Sequence, residues 1–339
     1  MEININRKSS YQLLLIFLIL LFVLNACSSG MKTQQDGLAQ EKIRVVATTT
    51  ILADVVSQVG GDHIELETLL PVGADPHGFD PTPQDIARVA DADLVFAVGG
   101  GLEAFLEDLI ESAGAENKII FVSDGIDFID ASDAHDEHEE ENEDVDEHHD
   151  ESEEQDIDRD HYHGDADPHT WTDPNNVVIW IENIQNALSD ADQGSAQAYS
   201  ENAEAYIAVL GQLDSWIREQ VSMIPEENRV IVTDHKLFTY FNARYGFTQV
   251  GAIIPGYSSL AEPTAKELAE LEDAIMALDV PAVFVGNTVN PALAERVTED
   301  TGKQLVYIYT GSLSDADGPA STYEAYVRYN VKAIIEALQ

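Results

Sequence analysis

Two copies of one short motif contain the residues of this chain that are best suited to hold a metal ion. Residues 74–81 read Ala-Asp-Pro-His-Gly-Phe-Asp-Pro, and residues 166–174 read Ala-Asp-Pro-His-Thr-Trp-Thr-Asp-Pro. Because proline fixes its own φ and confines the preceding residue to extended conformations, the loop that presents His77 or His169 loses little entropy on ordering. Imidazole is a common ligand of divalent transition metals. The repeated motif therefore predicts two metal-binding histidines.

The residues around each histidine fit the start of a helix and a support for the ring. A carboxylate two residues earlier, Asp75 in the first copy, can accept the N–H of a ligating ring or of a loop amide and so set the tautomer. Asp173 followed by proline has the pattern of a helix N-cap, and Thr82 with Asp85 has that of a capping box. One copy alone also fits a well-capped turn without a metal, but two copies favour a site.

A third histidine, His235, follows a strand-like run at residues 229–233. In an α/β lobe, the carboxyl end of a strand faces the crevice where such folds bind ligands. Taken alone, His235 fits a ligand and a core residue equally well. In a chain of two lobes, His77 and His169 can line one side of a cleft while His235 closes it from the other.

Short apolar strands alternate with helices around these motifs. The strands are predicted at residues 43–48, 64–70, 94–98, 118–122, 229–233, 248–254, 282–285 and 305–309, and helices at 51–59, 102–110, 262–278, 291–301 and 321–338. This order is typical of the α/β class, with mainly parallel sheets covered by helices on both faces. We therefore predict two lobes, an N-terminal lobe over residues 42–193 and a C-terminal lobe over residues 225–339.

Residues 194–224 connect the lobes. Apolar residues recur there at intervals of three and four, which predicts one long helix of about 45 Å that packs across both lobes. The alternative is two shorter helices broken near Gly211, since glycine disfavours a helix interior.

Residues 131–166 differ from the rest of the chain. They contain eighteen acidic residues, one arginine and very few apolar residues, so we expect a disordered insertion in the first lobe. Such an acidic run is usually a solvated segment, but this one also holds six of the ten histidines: His135, His138, His148, His149, His161 and His163. Imidazoles mixed with carboxylates favour weak binding of divalent metals, zinc foremost, and predict an accessory metal-gathering role.

The first 41 residues predict export. Two basic residues precede an apolar run that ends in Leu-Asn-Ala-Cys, so residues 1–26 are interpreted as a lipoprotein signal peptide and residues 27–41 as a flexible tether. Cys27, the only cysteine, would carry the lipid; the alternative is an ordinary signal peptide with an incidental cysteine. We therefore expect a protein of the cell envelope, in the periplasm or on the outer face of the cytoplasmic membrane.

The overall charge excludes one class of partner. Seventeen Lys and Arg against 63 Asp and Glu give a formal net charge of -46. Such a chain repels phosphate backbones, so no nucleic-acid partner is expected.

These segments together resemble the cluster A-I metal-binding lipoproteins, the solute-binding proteins of bacterial zinc and manganese ABC transporters. The matching segments are residues 71–77, 167–174, 233–235, 238–241, 262–268 and 283–291. The resemblance implies two pseudo-symmetric lobes joined by one long helix, with the metal between them and His77, His169 and His235 as its ligands. It also implies an ABC permease and its ATPase as partners, and a monomer is expected.

One position departs from that family. Many of its members supply a fourth, acidic ligand shortly after the last strand, where this chain has Gly311. Three imidazoles completed by water or by a carboxylate would form a zinc-like tetrahedral shell, whereas manganese prefers oxygen-rich octahedral shells. Asp75, Asp315 and Asp234 are predicted either to be that fourth ligand or to support the ligands from behind. Zinc is therefore the predicted metal and manganese the alternative. Because neutral imidazole must bind, affinity should fall as the pH drops through about 6.5.

Two other functional classes were weighed. A zinc hydrolase would use the open fourth position to activate water, but the sequence has no His-Glu-x-x-His motif, and the nearest run, residues 135–138, has the wrong spacing. A surface adhesin would use the same fold and tether. The prediction is capture and delivery of zinc, without catalysis.

Overall fold

The described residues contain eight strands, which form two sheets of four parallel strands each and confirm the predicted α/β class. The computed structural model describes residues 42–129 and 166–339. The first sheet has the order β2-β1-β3-β4 and the second the order β6-β5-β7-β8. The strands are β1 (Ile43–Ala47), β2 (Ile64–Thr68), β3 (Leu94–Ala97), β4 (Ile119–Phe121), β5 (Val230–Thr233), β6 (Thr248–Ala252), β7 (Ala282–Gly286) and β8 (Gln304–Ile308). Because the two orders are equivalent, each loop of one lobe has a counterpart in the other.

Helices connect and cover these strands, as parallel pairing requires. They are α1 (Thr50–Gly60), α2 (Pro83–Asp91), α3 (Leu106–Ala113), α4 (Pro174–Ala191), α5 (Ala196–Val221), α6 (Thr239–Tyr245), α7 (Ala265–Ala277), α8 (Ala292–Thr301) and α9 (Tyr323–Leu338). Short 3-10 turns lie at Gly61–His63, Thr170–Thr172 and Glu226–Asn228.

The long helix α5 runs without a break through Gly211. A side chain at Gly211 would meet no heavy atom within 4 Å, so the glycine lies on an open face and gives the helix no reason to bend there. The alternative of two shorter helices is therefore wrong. The boundaries of the two lobes on either side of α5 stay a prediction.

One apolar core continues from the first sheet to the second. It includes Val45 and Phe96 of the first sheet, Leu210 and Ile217 of α5, and Phe284 of the second sheet, each 1% exposed or less. Two smaller cores cover the opposite faces of the sheets, one in each lobe.

Helix α3 begins at Leu106, four residues later than predicted. Three glycines with positive φ occupy positions 99–101, and the buried carboxylate of Glu103 accepts the N–H groups of Val98 (2.8 Å) and Gly99 (3.0 Å). Because this turn is not helical, α3 begins only after it, at Leu106.

Within residues 42–129 and 166–339, no helix combines the length and apolar character needed to cross a bilayer. Cys27 and the six histidines of residues 131–166 lie outside the described part of the chain. The predictions made for them stay predictions.

Candidate metal centre

Three histidines from separate loops come together at the carboxyl ends of the strands. His77 lies in the loop after β2, His169 in the segment after β4, and His235 directly after β5. The Nε2 atom of His169 is 3.2 Å from the Nε2 atoms of both His77 and His235. Among the described residues, these three form the one group of His, Cys, Asp and Glu whose ligand atoms lie within 4.8 Å of each other.

The two buried histidines, His169 and His235, are oriented by the same device. Oδ1 of Asp167 accepts both the backbone N–H of His169 (2.8 Å) and its ring N–H at Nδ1 (2.7 Å). Oδ1 of Asp234 does the same for His235, at 2.7 and 2.6 Å. Since each Oδ1 acts as an acceptor, the ring proton lies on Nδ1 and the lone pair of Nε2 points to the centre of the group.

Further contacts fix Asp234 and Asp167. These contacts are not among those predicted from the sequence. The N–H of Gly286 donates to Oδ2 of Asp234 (2.5 Å). A Cβ at Gly286 would lie 2.0 Å from Oγ1 of Thr310 and 2.9 Å from Oδ2 of Asp234, so only glycine allows this approach. The hydroxyl of Tyr240 donates to the carbonyl of Asp167 (2.7 Å). The contact from Gly286 has a signal in the sequence, because a glycine at the end of a buried strand often marks a close approach of another group.

His77 is held in a different way, and its side chain is only half-buried. Oδ1 of Asp75 accepts the backbone N–H of His77 (3.0 Å). Oδ2 of Asp75 accepts from the hydroxyl of Ser259, in the loop after β6. Asp75 therefore fixes the backbone of this loop and joins it to the second lobe.

Helix starts follow both copies of the repeated motif, as predicted. Thr82 and Asp85 form a complete capping box at the start of α2. Asp173 accepts the N–H of Asn175 (2.8 Å) at the start of α4, after a single 3-10 turn. These caps fix where each histidine loop ends.

Burial keeps the imidazoles of His77 and His169 neutral. It lowers the pKa of His77 to about 3, with further lowering by His169 and then His235. The pKa of His169 also lies well below its usual value, first because of burial and then because of His235. Neutral imidazole is the form that binds a metal. The loss of affinity in acid is therefore expected at a lower pH than the 6.5 of free imidazole.

The pKa of Asp167 shifts in the opposite direction to that of its partner His169. Burial raises the pKa of its carboxyl group to about 7, against the lowering effect of hydrogen bonds from Thr239 and His169. Both shifts have one cause, because a low-dielectric interior disfavours the charged form of either group.

The proposed fourth ligands do not join the three nitrogens. Asp234 lies on the Nδ1 side of His235, and Asp75 is bonded to Ser259 and to the His77 backbone. Asp315 is exposed, and the structure does not bring it into the group, since its loop turns back through a Gly318 N–H to Asp315 carbonyl bond (2.8 Å). At Gly311 a Cβ would lie 2.8 Å from Cδ of Pro76, so a side chain there must displace the residue before His77.

Sequence comparison gives a consistent result over nearly the whole chain. Residues 45–337 match the family described as ZnuA, zinc-uptake complex component A, periplasmic. The chain is 32% identical over 326 residues to the manganese-binding lipoprotein MntA of Halalkalibacterium halodurans, covering 95% of this chain and 97% of that protein. It is 31% identical over 332 residues to the manganese ABC transporter substrate-binding lipoprotein PsaA of Streptococcus pneumoniae, covering 96% and 97%.

Solved structures show the same fold. The periplasmic zinc-binding protein TroA from Treponema pallidum superposes with a TM-score of 0.73 at 24% identity, covering 88% of this chain and 99% of that chain. A manganese-bound periplasmic metal-binding protein from Candidatus Liberibacter asiaticus superposes with a TM-score of 0.71 at 23% identity, covering 88% and 100%. At these identities the likeness concerns the fold alone.

Proposed function

Because this chain belongs to the zinc-uptake complex component A family, and is thus the substrate-binding component of a metal ABC transporter, we propose that it captures zinc and delivers it to the membrane permease. The family consists of solute-binding proteins of ABC transporters and not of enzymes. The metal is cargo, and the role of the site is to bind and release it.

The choice of zinc rests on one observation, which is that the ligand group consists of three imidazoles and contains no carboxylate among the described residues. Zinc is commonly bound by imidazole in a tetrahedral shell, whereas manganese prefers oxygen ligands in an octahedral shell. The three histidines bring no negative charge, so a hard cation gains less here than at an acidic site. In this proposal His77, His169 and His235 are the ligands.

The spacing of the nitrogens suits an ion held between them. Two nitrogens that are each about 2.0–2.1 Å from a tetrahedral zinc ion lie about 3.3 Å apart. The observed Nε2 separations from His169 are 3.2 Å. This spacing supports an ion of small radius, and the chemistry of the donors supports zinc. Water is the proposed fourth ligand, because no side chain extends from Gly311.

Manganese is the alternative substrate, and the names of the relatives favour it. Both MntA and PsaA are named as manganese proteins at 31–32% identity over nearly their full length. The donor set is the evidence against manganese, and only a direct competition decides between the two.

The N-terminal segment and residues 131–166 have supporting roles in this function. We propose that the protein is anchored at the outer side of the cytoplasmic membrane by a lipid on Cys27 and that residues 131–166 gather zinc for the cleft. The acidic charge of that segment would raise the local concentration of cations, an effect that salt weakens.

A competition titration tests the choice of metal. The full chain, freed of metal, is titrated with zinc and with manganese against a chromophoric chelator, and a chain that lacks residues 132–163 is titrated in parallel. We expect one tight zinc ion in both chains, weaker additional zinc only in the full chain, and much weaker manganese binding in both. Tighter binding of manganese than of zinc by the shortened chain would overturn the zinc assignment.

A triple variant serves as the control for the location of the site. Replacing His77, His169 and His235 by alanine should abolish the tight zinc ion while the circular dichroism spectrum keeps its helical signal. Tight zinc binding that survives in this variant would place the site elsewhere.

A further inference from the structure

The loop that carries His77 contacts the second lobe at three residues, two before the histidine and one after it. Asp75 accepts a hydrogen bond from Ser259, Pro76 lies against Gly311, and Gly78 lies against Leu260. These contacts surround the one histidine of the group that is half-buried.

The contacts at Pro76 and Gly78 are close. A Cβ at Gly311 would be 2.8 Å from Cδ of Pro76, and a Cβ at Gly78 would be 3.0 Å from Cδ2 of Leu260. Distances below about 3.0 Å require a neighbour to move, so the approach of Pro76 depends on the absence of a side chain at Gly311. At Gly78 the neighbour is the end of the exposed Leu260 side chain, so that contact is the looser of the two.

The loop after β6, which contacts the His77 loop, is itself held in place by backbone hydrogen bonds. The carbonyl of Gly256 accepts the N–H of Lys236 (2.9 Å), and the N–H of Ile254 donates to the carbonyl of Asp234 (2.7 Å). The loop after β6 that presents Ser259 is therefore bound to the segment that carries His235. The position of Ser259 is coupled to the buried half of the site.

The loop that contains Gly311 is bound to the first lobe as well. The hydroxyl of Ser312 accepts the N–H of Gly73 (2.9 Å), and the N–H of Leu313 donates to the hydroxyl of Thr50 (2.9 Å). It cannot retreat from Pro76 without losing these bonds.

The loop after β2 and the loop after β6 occupy equivalent places in the two sheets. One of these counterparts carries His77, and the other carries Ser259. The hydrogen bond between Ser259 and Asp75 therefore joins two loops that are counterparts in the fold.

Building on the zinc-binding function proposed above, we propose that Ser259 is a positioning residue that acts through Asp75 to hold His77 on the metal and so sets the rate of metal release. When the bond between Ser259 and Asp75 breaks, the loop can withdraw His77 first. The ion is then left with His169 and His235, whose aspartates keep them in place. Release proceeds from this two-histidine state.

The test measures the rate at which zinc leaves the full chain. Zinc-loaded Ser259→Ala is mixed with excess chromophoric chelator in a stopped-flow instrument, and the slowest phase is compared with that of the wild type. We expect release about tenfold faster, as loss of a hydrogen bond to a charged group implies, with one tight zinc ion still bound at equilibrium. Ser259→Thr, which keeps the hydroxyl, should restore slow release.

Two further variants make the test specific. Ser258→Ala removes the neighbouring hydroxyl, which accepts the N–H of Leu260 within the same loop (3.3 Å), and should release zinc at the wild-type rate. Asp75→Ala should release zinc rapidly, and adding Ser259→Ala to it should produce no further acceleration, because the two residues act through one bond.

The outcomes separate this inference from the proposed function. One tight zinc ion in every variant, together with wild-type release from Ser259→Ala, overturns the role of Ser259 and leaves zinc capture intact. Equal acceleration by Ser258→Ala and Ser259→Ala also overturns it, since the effect would then belong to the loop as a whole. A wild-type chain without a tight zinc ion overturns the proposed function itself.

Discussion

His169 and His235 are held by the protein interior, whereas His77 is held by a contact between loops. The first two are 2% and 3% exposed, and each has an aspartate oxygen that binds both its backbone and its ring. His77 is half-buried, and its aspartate binds the backbone and a serine of the other lobe. A site that must both retain and surrender an ion needs these two properties, rigidity in part of its ligands and freedom in another.

The difference has a physical origin in what lies next to each histidine. His235 comes two residues after the end of β5, and the buried Trp171 packs beside His169 with ring centroids 5.2 Å apart. His77 lies nine residues beyond β2, in a loop that has no regular structure until α2 begins. A loop without regular structure has conformational freedom to lose, so the position of His77 depends more on contacts supplied by other loops.

Removal of a buried ligand should have the largest effect. We expect His235→Ala to weaken zinc binding by more than about a hundredfold, since even a change behind a ligand typically costs 10–100-fold. His77→Ala should weaken it less, because His77 is less deeply buried than His235 and water can take its place. Isothermal titration calorimetry of the two variants measures the difference. A larger loss in His77→Ala would reverse the ranking of the two regions.

Changes behind the ligands should have the next largest effect. Asp167→Asn keeps an oxygen acceptor but removes its negative charge, and should lower zinc affinity by about tenfold. Asp75→Asn, the matched change in the first copy of the motif, should lower it less, because Asp75 does not bind the imidazole. Competition titrations of both variants give the comparison, and equal losses would show that the two aspartates have the same role.

The smallest effect is expected from a change of pH, and it should be shared by His77 and His169. Free imidazoles with a pKa of about 6.5 would each lose about tenfold in metal affinity by pH 5.5. Burial lowers the pKa of both His77 and His169, so these two stay neutral and their contribution to zinc affinity should persist at that pH. Zinc titrations at pH 7.5 and 5.5 measure this. A loss of zinc affinity as large as that expected for free imidazoles would contradict the lowered pKa values of His77 and His169.

The same shifts fix the sign of the stability change in the metal-free protein. In the unfolded chain the two imidazoles take up protons near pH 6.5, whereas in the folded chain His77 does so only near a pKa of about 3. The unfolded state therefore binds more protons between these values, and stability falls as the pH is lowered through that range. Denaturant midpoints at pH 7 and 5 should show the fall, and His77→Gln should show less of it.

Local sequence patterns predicted the parts of the site that local structure determines. The Asp-Pro-His repeat marked His77 and His169, and the capping patterns at Thr82 and Asp173 were confirmed because a cap depends on residues within one turn of the helix. The sheets were also predictable, since alternating strands and helices leave few arrangements.

Contacts between distant segments were not predictable in this way. Asp315 is one of the residues that the sequence offers as a fourth ligand, yet it is exposed in the structure. Ser259 and Gly286 were not singled out, because their roles depend on a side chain and a backbone group from elsewhere in the fold. Gly286 stands out in the sequence only as a glycine at the end of a buried strand, and nothing local distinguishes Ser259 from its neighbour Ser258.

The apolar core that continues past α5 also determines how this protein can be divided. Leu210 and Ile217 of that helix belong to the same cluster as residues of both sheets. A cut within the helix would leave apolar surface of both fragments in water, where it favours aggregation. We therefore expect residues 42–129 and 166–339 to unfold together, and neither sheet to be stable when it is separated from the other.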